Sequence, residues 1–358
     1  MEKLLRTYIQ KHIEKGFFTG AICSVYHQGN VIAECALGNR IEVEKESLMM
    51  NKSTIADLAS VTKVYTSTLV LRLVSEGKFN LQTKITSLLP EIEYYQQLKK
   101  KMKDITVYHL LTHSSGIQAW YPFYSVQNSD FYNILNTHIH INGTNKKVEY
   151  SDVNYMILGK IIESITGLTL DKAIEKKVKE PLEMKSLSYG PVSSANVLAT
   201  EWGNKIEKKM CHKRDLEFEG WRSEKTPIFG EVNDGNCHYY FKGVSGHAGL
   251  FGSVKDVIRL GKLYIEGGEW NNKTYINKEL IHQSMEANEG NRGLGWEIGS
   301  IFPEGVGHTG FTGTSLWVVP ERQLVVGLLT NRLHVENPIS IQKFRLHLHE
   351  LIIKELDQ

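Results

Sequence analysis

The chain has 358 residues, of which 41% are hydrophobic and 23% are charged, and this is the composition of a globular protein with a substantial core. The net charge of +2 produces no strong field, so neither nucleic acid nor an anionic membrane is expected as a partner. No run approaches the ~18 apolar residues of a membrane span, and the charged N-terminus lacks the apolar core of a secretory signal. The sequence therefore predicts a cytoplasmic protein, and it makes no prediction about the oligomeric state.

The N-terminal part of the chain combines a helical pattern with a β-pattern. Residues 1–16 predict an amphipathic helix, because apolar side chains such as Leu5 and Ile9 recur on one side. Two β-rich runs follow within 19–38, and the turn residues at 27–30 between them indicate a hairpin.

The C-terminal part repeats the same pattern in reverse order. Two β-rich runs within 312–331 flank turn residues at 320–323, and a helix is predicted over about 339–356, after Pro338. Strands from both ends of the chain are therefore available for one sheet.

The middle of the chain has the helical period instead, with helices predicted over about 64–77, 107–113 and 154–165. The predicted fold is α/β plus α: an antiparallel sheet is built from both chain ends, N- and C-terminal helices flank it, and a mainly helical domain is inserted.

The predicted domains follow from that arrangement. Residues 1–66 and 191–358 form an α/β domain, residues 67–190 form the helical domain, and the active site lies between them. Residues 200–240 have little periodicity and are interpreted as a long loop that borders the site.

The cysteines do not indicate a disulfide framework or a metal site. A reducing compartment favours free thiols, and adjacent Cys–His pairs lack the usual spacing of zinc ligands. The four cysteines are Cys23, Cys35, Cys211 and Cys237. No metal and no cofactor are expected.

The chain contains three Ser-x-x-Lys matches, and about two are expected by chance, so the spacing alone carries little weight. They are Ser60/Lys63, Ser75/Lys78 and Ser340/Lys343. Only the first pair begins a helix that is apolar nearly all round, whereas the second lies at a helix end and the third begins an exposed helix.

Ser60 either caps the helix that follows it or acts as a nucleophile. Lys63 lies one turn later on the same face, and the apolar helix implies that it is buried. Burial would lower the pKa of Lys63 toward neutrality, and a neutral lysine can take the proton of a serine hydroxyl. Ser60 and Lys63 are therefore the candidate nucleophile and base.

Two further motifs follow in the chain. Tyr150, in "YSD", stands just before a predicted helix, and His308-Thr309-Gly310 begins a predicted strand. The order S-x-x-K, Y-S-N/D, K/H-T-G resembles the serine β-lactamase and penicillin-binding-protein superfamily, with its β-lactamase/transpeptidase-like fold. The similarity is greatest to the class C-like branch, which includes class C β-lactamases, DD-peptidases, β-lactamase-fold esterases and muropeptide amidases. It extends over about residues 17–333.

This resemblance implies the catalytic roles. Ser60 would be the acylated nucleophile, Lys63 would activate it, and Tyr150 would share the proton transfer and protonate the leaving group. The oxyanion hole would consist of the backbone N–H groups of Ser60 and Phe311.

The candidate substrate-binding residues are Asp152, His308, Thr309, Gly310, Trp120 and His247. Asp152 stands where many members have asparagine; a carboxylate only accepts hydrogen bonds, and it would raise the pKa of Lys63. His308 stands where many members have lysine and is mostly neutral at neutral pH. Selectivity for carboxylate-bearing substrates is therefore expected to be weak, and to strengthen below about pH 6.5. Gly310, without a Cβ, would let the strand pass close to the substrate.

Several of these residues have a structural alternative. The aromatic residues within 120–124 fit either an apolar rim for an acyl or glycan group or plain core packing. His247 either touches the substrate or is a structural loop histidine. Glu201 and Asp234 resemble positions in the amidase and esterase members, and Asn233 stands where those members have a histidine. If that histidine contacts substrate, the specificity of this chain has shifted.

The predicted function is a serine hydrolase that forms an acyl-enzyme and acts on an amide or an ester. The predicted substrate is a cell-wall-derived peptide or muropeptide, or a small carboxylic ester. The alternatives are a promiscuous carboxylesterase with incidental β-lactam binding, and a non-turnover penicillin-binding sensor or scaffold protein.

Overall fold

The computed structural model describes residues 1–44, 46–144, 147–193, 195–288 and 290–358. Its helices are α1 (Glu2–Glu14), α2 (Thr62–Ser75), α3 (Gln96–Met102), α4 (Val107–Leu111), α5 (Phe131–His138), α6 (Asp152–Thr166), α7 (Leu170–Ile174), α8 (Lys205–His212), α9 (Val254–Ile265), α10 (Lys278–Met285) and α11 (Gln342–Leu356). Its strands are β1 (Gly20–His27), β2 (Asn30–Val43), β3 (Glu46–Met49), β4 (Ala56–Asp57), β5 (Ser188–Tyr189), β6 (Leu250–Gly252), β7 (Glu269–Trp270), β8 (Lys273–Thr274), β9 (Glu297–Gly299), β10 (Phe302–Thr309), β11 (Ser315–Val319) and β12 (Leu324–Thr330).

The main sheet joins the two ends of the chain, as predicted. Its seven antiparallel strands run in the order β3-β2-β1-β12-β11-β10-β9, and Ala21 of β1 lies opposite Thr330 of β12. Helices α1 and α11 pack on one face through an apolar cluster that includes Leu5 and Phe344, while α9 packs on the other. The fold class expected from the sequence is therefore confirmed.

The two predicted hairpins form with turns that suit their sequences. The β1–β2 turn places Gln28 and Gly29 at φ of 46° and 90°, and two successive positive φ values match the right-handed twist of paired strands. A 3₁₀ turn at Pro320–Arg322 connects β11 to β12, with Gln323 in the left-handed region.

The helical predictions hold with shifted ends. Helix α6 ends at Gly167, whose φ of 66° is the left-handed conformation that glycine tolerates at a helix C-terminus. The C-terminal helix begins at Gln342, three residues after the predicted start, because Ile339 to Ile341 remain outside the helix. The division into domains 1–66 with 191–358 and 67–190 stays a prediction.

Residues 200–240 contain one α-helix, α8, and a π-helical turn at Asn236–Tyr240 within mostly irregular backbone. Tyr124 packs there against the rings of Phe218, Trp221 and Tyr239, at centroid distances of 4.7 to 5.5 Å. This segment is therefore a packed excursion beside the helical region. None of the helices in the described residues combines the length and apolar character needed to cross a membrane.

Candidate active site

Ser60 lies in a sharp turn immediately before α2. Ala59 has a φ of 47°, and Ala59–Val61 form a single 3₁₀ turn. The Ser60 hydroxyl does not cap α2, whose N-cap is Val61 without a side-chain hydrogen bond. A non-glycine residue in the left-handed region is a strained position of the kind found at functional sites. The alternative that Ser60 is only a helix cap is therefore wrong.

The structure brings Ser60 and Lys63 into direct contact. The Nζ of Lys63 donates to the Ser60 Oγ at 3.0 Å and to the His247 carbonyl at 3.2 Å. The side chain of Lys63 is completely buried, and its Nζ lies 2.7 Å from the Asp152 Oδ1. Lys63 thus contacts the candidate nucleophile, a backbone carbonyl and a carboxylate, and it also interacts with Tyr150.

The sequence leaves the charge of Lys63 open, because burial and Asp152 have opposite effects on its pKa. Burial by itself lowers the pKa of Lys63, but the negative charge of Asp152 and the contact with Tyr150 outweigh it, so the pKa is raised. The effect expected from Asp152 therefore exceeds the effect expected from burial, and the resting enzyme carries an ammonium beside Ser60.

Tyr150 completes the group around the nucleophile. Its ring centroid lies 4.9 Å from the Lys63 Nζ, and its hydroxyl makes hydrogen bonds with Lys63 and Ser60. Burial raises the pKa of Tyr150, while the charge of Lys63 and these hydrogen bonds work in the opposite direction. The ring of His113 packs on it at 4.7 Å and the guanidinium of Arg292 lies 5.3 Å from its centroid. Tyr150 is thus held as a neutral phenol within reach of both partners.

The residues Gly310–Thr314, here called the oxyanion turn, connect β10 to β11 and face Ser60. Within the described residues, no protein acceptor takes the N–H of Ser60 or of Phe311. Two hydroxyls attach the turn to the nucleophile segment: Thr312 donates to the Asp57 carbonyl and Thr314 to the Leu58 carbonyl, both at 2.9 Å. The two free N–H groups are therefore held on segments that cannot move independently.

Gly310 is required by the protein itself. A Cβ at this position would lie 2.0 Å from the Thr314 Oγ1 and 2.7 Å from the Leu58 carbonyl oxygen. From the sequence, Gly310 was expected to let the strand pass close to the substrate. In the structure, the close approach is between the oxyanion turn and the segment that carries Ser60.

The Asp57 carboxylate binds the segment that carries Ser60. Its carboxylate accepts hydrogen bonds from the Ala59 N–H at 2.8 Å and from the Asn233 N–H at 2.7 Å. Burial raises its pKa to about 6, although both hydrogen bonds favour the ionised form. No sequence motif marks Asp57, which lies three residues before Ser60 in a buried two-residue strand.

His308 and Thr309 line the cleft at the end of β10, where they were expected. The expected charging of His308 below about pH 6.5 is wrong, since burial and the nearby Lys63 and Arg292 hold its pKa well below the usual value. The ring stays neutral and donates from Nδ1 to the Thr309 carbonyl at 2.9 Å.

Three arginines that the sequence analysis did not identify supply positive charge near this end of the cleft. Arg292, Arg332 and Arg345 contribute to its lining together with Phe311 and Ile339. Arg332 donates to the Phe311 carbonyl at 2.8 Å and to the Ile339 carbonyl at 3.0 Å. No motif marks these arginines, because they come from three separate segments that only the fold brings together.

Acidic residues also line the cleft. Glu207 and Asp234 contribute to the lining together with Asn233, Trp120 and Met210, in a cleft of about 570 Å³. Burial and the charge of Asp234 raise the pKa of Glu207. The carboxyl oxygens of Glu207 accept hydrogen bonds from the Tyr124 hydroxyl at 2.8 Å and from the Gly235 N–H at 2.7 Å.

The aromatic residues that follow the turn at Gly116 divide between the two expected roles. Trp120 lines the cleft, whereas Phe123 and Tyr124 are buried, and Tyr124 donates to Glu207 at 2.8 Å. Trp120 therefore fits the predicted rim of the cleft, and Phe123 and Tyr124 fit the predicted core packing.

The ring of His247 is 1% exposed, and both ring nitrogens are occupied, by Ser245 at 2.8 Å and by Asp234 at 2.8 Å. Its part in the site is structural, because its backbone carbonyl binds Lys63. The expected substrate contact of the His247 side chain therefore does not fit the structure.

Asn233 is engaged in the same way. Its side-chain amide accepts from Thr200 at 2.8 Å and donates to Glu201 at 3.4 Å. The side chains of Asn233 and Glu201 thus make hydrogen bonds within the protein beside the acidic residues of the cleft.

Metal binding has no counterpart among the described residues. Within the described ranges, no group of three or more histidine, cysteine, aspartate or glutamate side chains is arranged to hold an ion. The four cysteines are free and buried.

Comparison with known proteins agrees with this geometry. The family model described as Beta-lactamase matches residues 5–348. The chain is 31% identical to an N-acetylmuramyl-L-alanine amidase of Bacillus subtilis (strain 168), over 92% of this chain and 82% of that protein. It is 28% identical to a "Putative D-alanyl-D-alanine carboxypeptidase" of Salmonella agona (strain SL483), over 92% of this chain and 83% of that protein.

Among solved structures, the octameric penicillin-binding protein homologue from Pyrococcus abyssi has the same fold, with a TM-score of 0.74. It is 22% identical, and the match covers 98% of this chain and 77% of the homologue.

Proposed function

Because the chain belongs to the β-lactamase family, we propose that it is a serine hydrolase that forms an acyl-enzyme at Ser60 and acts on an amide or an ester. One observation carries the proposal: the Lys63 Nζ lies 3.0 Å from the Ser60 Oγ, completely buried, with Tyr150 bonded to both. A serine, a buried lysine and a phenol in mutual contact form a proton-transfer network around a nucleophile.

Before the reaction, Lys63 is an ammonium and Tyr150 is a neutral phenol. The Lys63–Tyr150 pair must therefore lose one proton before it can act as a base. The deprotonated pair then accepts the Ser60 proton as Oγ attacks the substrate carbonyl. The N–H groups of Ser60 and Phe311 stabilise the oxyanion. Tyr150, bonded to Ser60, protonates the leaving group and later assists the attack of water.

The charge distribution of the cleft supports a substrate with a carboxylate near the scissile bond. Arg292, Arg332 and Arg345 supply positive charge near the oxyanion turn, and they replace the charge that His308 lacks. Elsewhere in the cleft, Glu207 and Asp234 add polar side chains to the lining. This combination fits a peptide or muropeptide derived from the cell wall, and the two relatives are named for amide substrates that contain alanine.

A small carboxylic ester is the second candidate substrate. Phe311 and Ile339 are 42% and 43% exposed, and they form an apolar rim on the cleft. An apolar rim beside a neutral His308 also suits an uncharged ester. We place the enzyme in the cytoplasm, where it would act on peptides or small molecules and not on nucleic acid or a membrane.

The test compares wild-type protein with Ser60→Ala, using p-nitrophenyl acetate and a fluorescent penicillin, each followed by turnover and by intact mass. Ser60-dependent turnover of the ester supports the hydrolase, and turnover of the ester alone favours an esterase or amidase. A stable adduct without turnover indicates a sensor. Absence of both adduct and turnover in the wild type contradicts the enzyme.

A further inference from the structure

We propose that Arg345 is a positioning residue for catalysis, which polarises the Gly310–Phe311 peptide so that the Phe311 N–H binds the oxyanion more strongly. This inference rests on the proposed function, since it concerns the oxyanion hole of that reaction. It assigns the Arg345 guanidinium a role behind the oxyanion turn.

Arg345 holds the oxyanion turn from α11. Its Nη2 donates to the Thr314 carbonyl at 2.9 Å and to the Gly310 carbonyl at 3.4 Å, while Nη1 donates to the Gln342 side chain at 2.7 Å. The side chain is 3% exposed. Among the described residues it has no carboxylate partner within ion-pair distance, and its Nε has no hydrogen-bond partner. A buried cation thus donates to two backbone carbonyls and one side-chain amide, all of them uncharged.

The geometry connects this cation to the oxyanion. The Gly310 carbonyl and the Phe311 N–H belong to one peptide unit, so a positive charge at the carbonyl oxygen makes the N–H a stronger donor. Hydrogen bonds in a chain polarise one another in this way when they lie in a low dielectric. The oxyanion that develops at Phe311 then lies in the field of the buried Arg345 guanidinium.

Structural need does not explain the charge. The Gly310 carbonyl also accepts the Gly313 N–H at 3.0 Å, and the Thr314 carbonyl accepts the Gly310 N–H at 2.7 Å. Both carbonyls therefore keep a backbone donor when the guanidinium is absent. A buried guanidinium with no carboxylate in direct contact costs folding free energy, so its position beside the oxyanion turn points to catalysis.

The test uses Arg345→Gln, which removes the charge, and Arg345→Lys, which keeps it, with Arg322→Gln as a matched control. Arg322 contacts the far end of α11 through Asp357 and lies outside the cleft. The substrates are a neutral acetate ester and an ester that carries a carboxylate. Polarisation predicts that Arg345→Gln lowers kcat about 10- to 100-fold for both esters, with KM nearly unchanged. Arg345→Lys is expected to recover most of the loss.

Three results separate the explanations. A loss confined to the carboxylate-bearing ester, expressed in KM, makes Arg345 a substrate ligand and overturns the proposal. Unchanged kcat in Arg345→Gln overturns it as well. If Arg345→Gln does not fold, Arg345→Met, which also removes the charge, decides: an about 10- to 100-fold loss of kcat at unchanged KM supports the proposal, and no loss contradicts it. Failure of the proposed function is distinct, because the wild type itself would then show no Ser60-dependent turnover.

Discussion

Replacing Asp152 by Asn should move the acidic limb of the pH–rate profile downward. The Lys63 Nζ and the Asp152 Oδ1 are 2.7 Å apart, and at an effective dielectric of about 20 their attraction is of the order of 6 kcal/mol. Burial alone lowers the pKa of Lys63, and the attraction of Asp152 outweighs that effect, so the pKa is raised.

The direction follows from the charge of Lys63. Asp152 stabilises the ammonium, so its loss lowers the pKa of Lys63 and increases the fraction of deprotonated Lys63–Tyr150 pairs at neutral pH. A weaker base accepts the Ser60 proton less efficiently, so we expect a net gain of about tenfold in kcat/KM for a neutral ester near pH 7.

The assay measures kcat/KM for a neutral ester from about pH 5 to about pH 10, the range that brackets a lysine pKa lowered by this substitution. Glu149→Gln is the matched control, because it removes an exposed carboxylate one residue from Tyr150 that pairs with Lys147. The control should keep the wild-type limb. If the limb of Asp152→Asn also stays in place, the account of how Lys63 is charged is refuted.

Three further predictions concern the scaffold of the site. Gly310→Ala places a Cβ 2.0 Å from the Thr314 Oγ1, so it should reduce ester turnover at least 100-fold and lower the unfolding free energy by about 2 kcal/mol, as measured by kinetics and denaturant titration. Thr312→Val removes the hydroxyl that attaches the oxyanion turn to β4; kcat should fall about tenfold and stability by about 1 kcal/mol, whereas unchanged kcat would separate this attachment from catalysis. Burial lowers the pKa of His349 from 6.5 to about 4, so the unfolded chain binds the proton first and stability is lost as pH falls below about 6.5. The wild type should therefore lose about 2 kcal/mol more than His349→Gln between about pH 6.5 and pH 5, and equal losses would argue against this assignment.

The features that the sequence predicts well depend on local pattern or on motif order. Alternating β-runs at both ends predict one sheet built from both chain ends, and in the structure β1 pairs with β12 in that sheet. The order of Ser60, Tyr150 and His308 identifies the family, since three spaced motifs are far less frequent by chance than one.

The features that the sequence does not predict depend on distances between segments. The charge of Lys63 is a balance between burial and Asp152, and the 2.7 Å separation that decides it exists only in the folded chain. Arg345 lies in a terminal helix whose pattern indicates only an apolar stripe, and its hydrogen bonds to the oxyanion turn bridge more than thirty residues. His247 shows the reverse case, in which a histidine near the site contributes its backbone and not its ring.

The proposed reaction requires that one acyl group forms on Ser60. The most direct measurement is peptide mapping by mass spectrometry of the wild-type protein after rapid acid quenching with p-nitrophenyl acetate, beside Ser60→Ala. We expect a single acetyl group on the peptide that contains Ser60. It should be absent from Ser60→Ala, and in the wild type it should disappear with time as the acyl-enzyme hydrolyses. An acetyl group on another residue, present equally in Ser60→Ala, would contradict it.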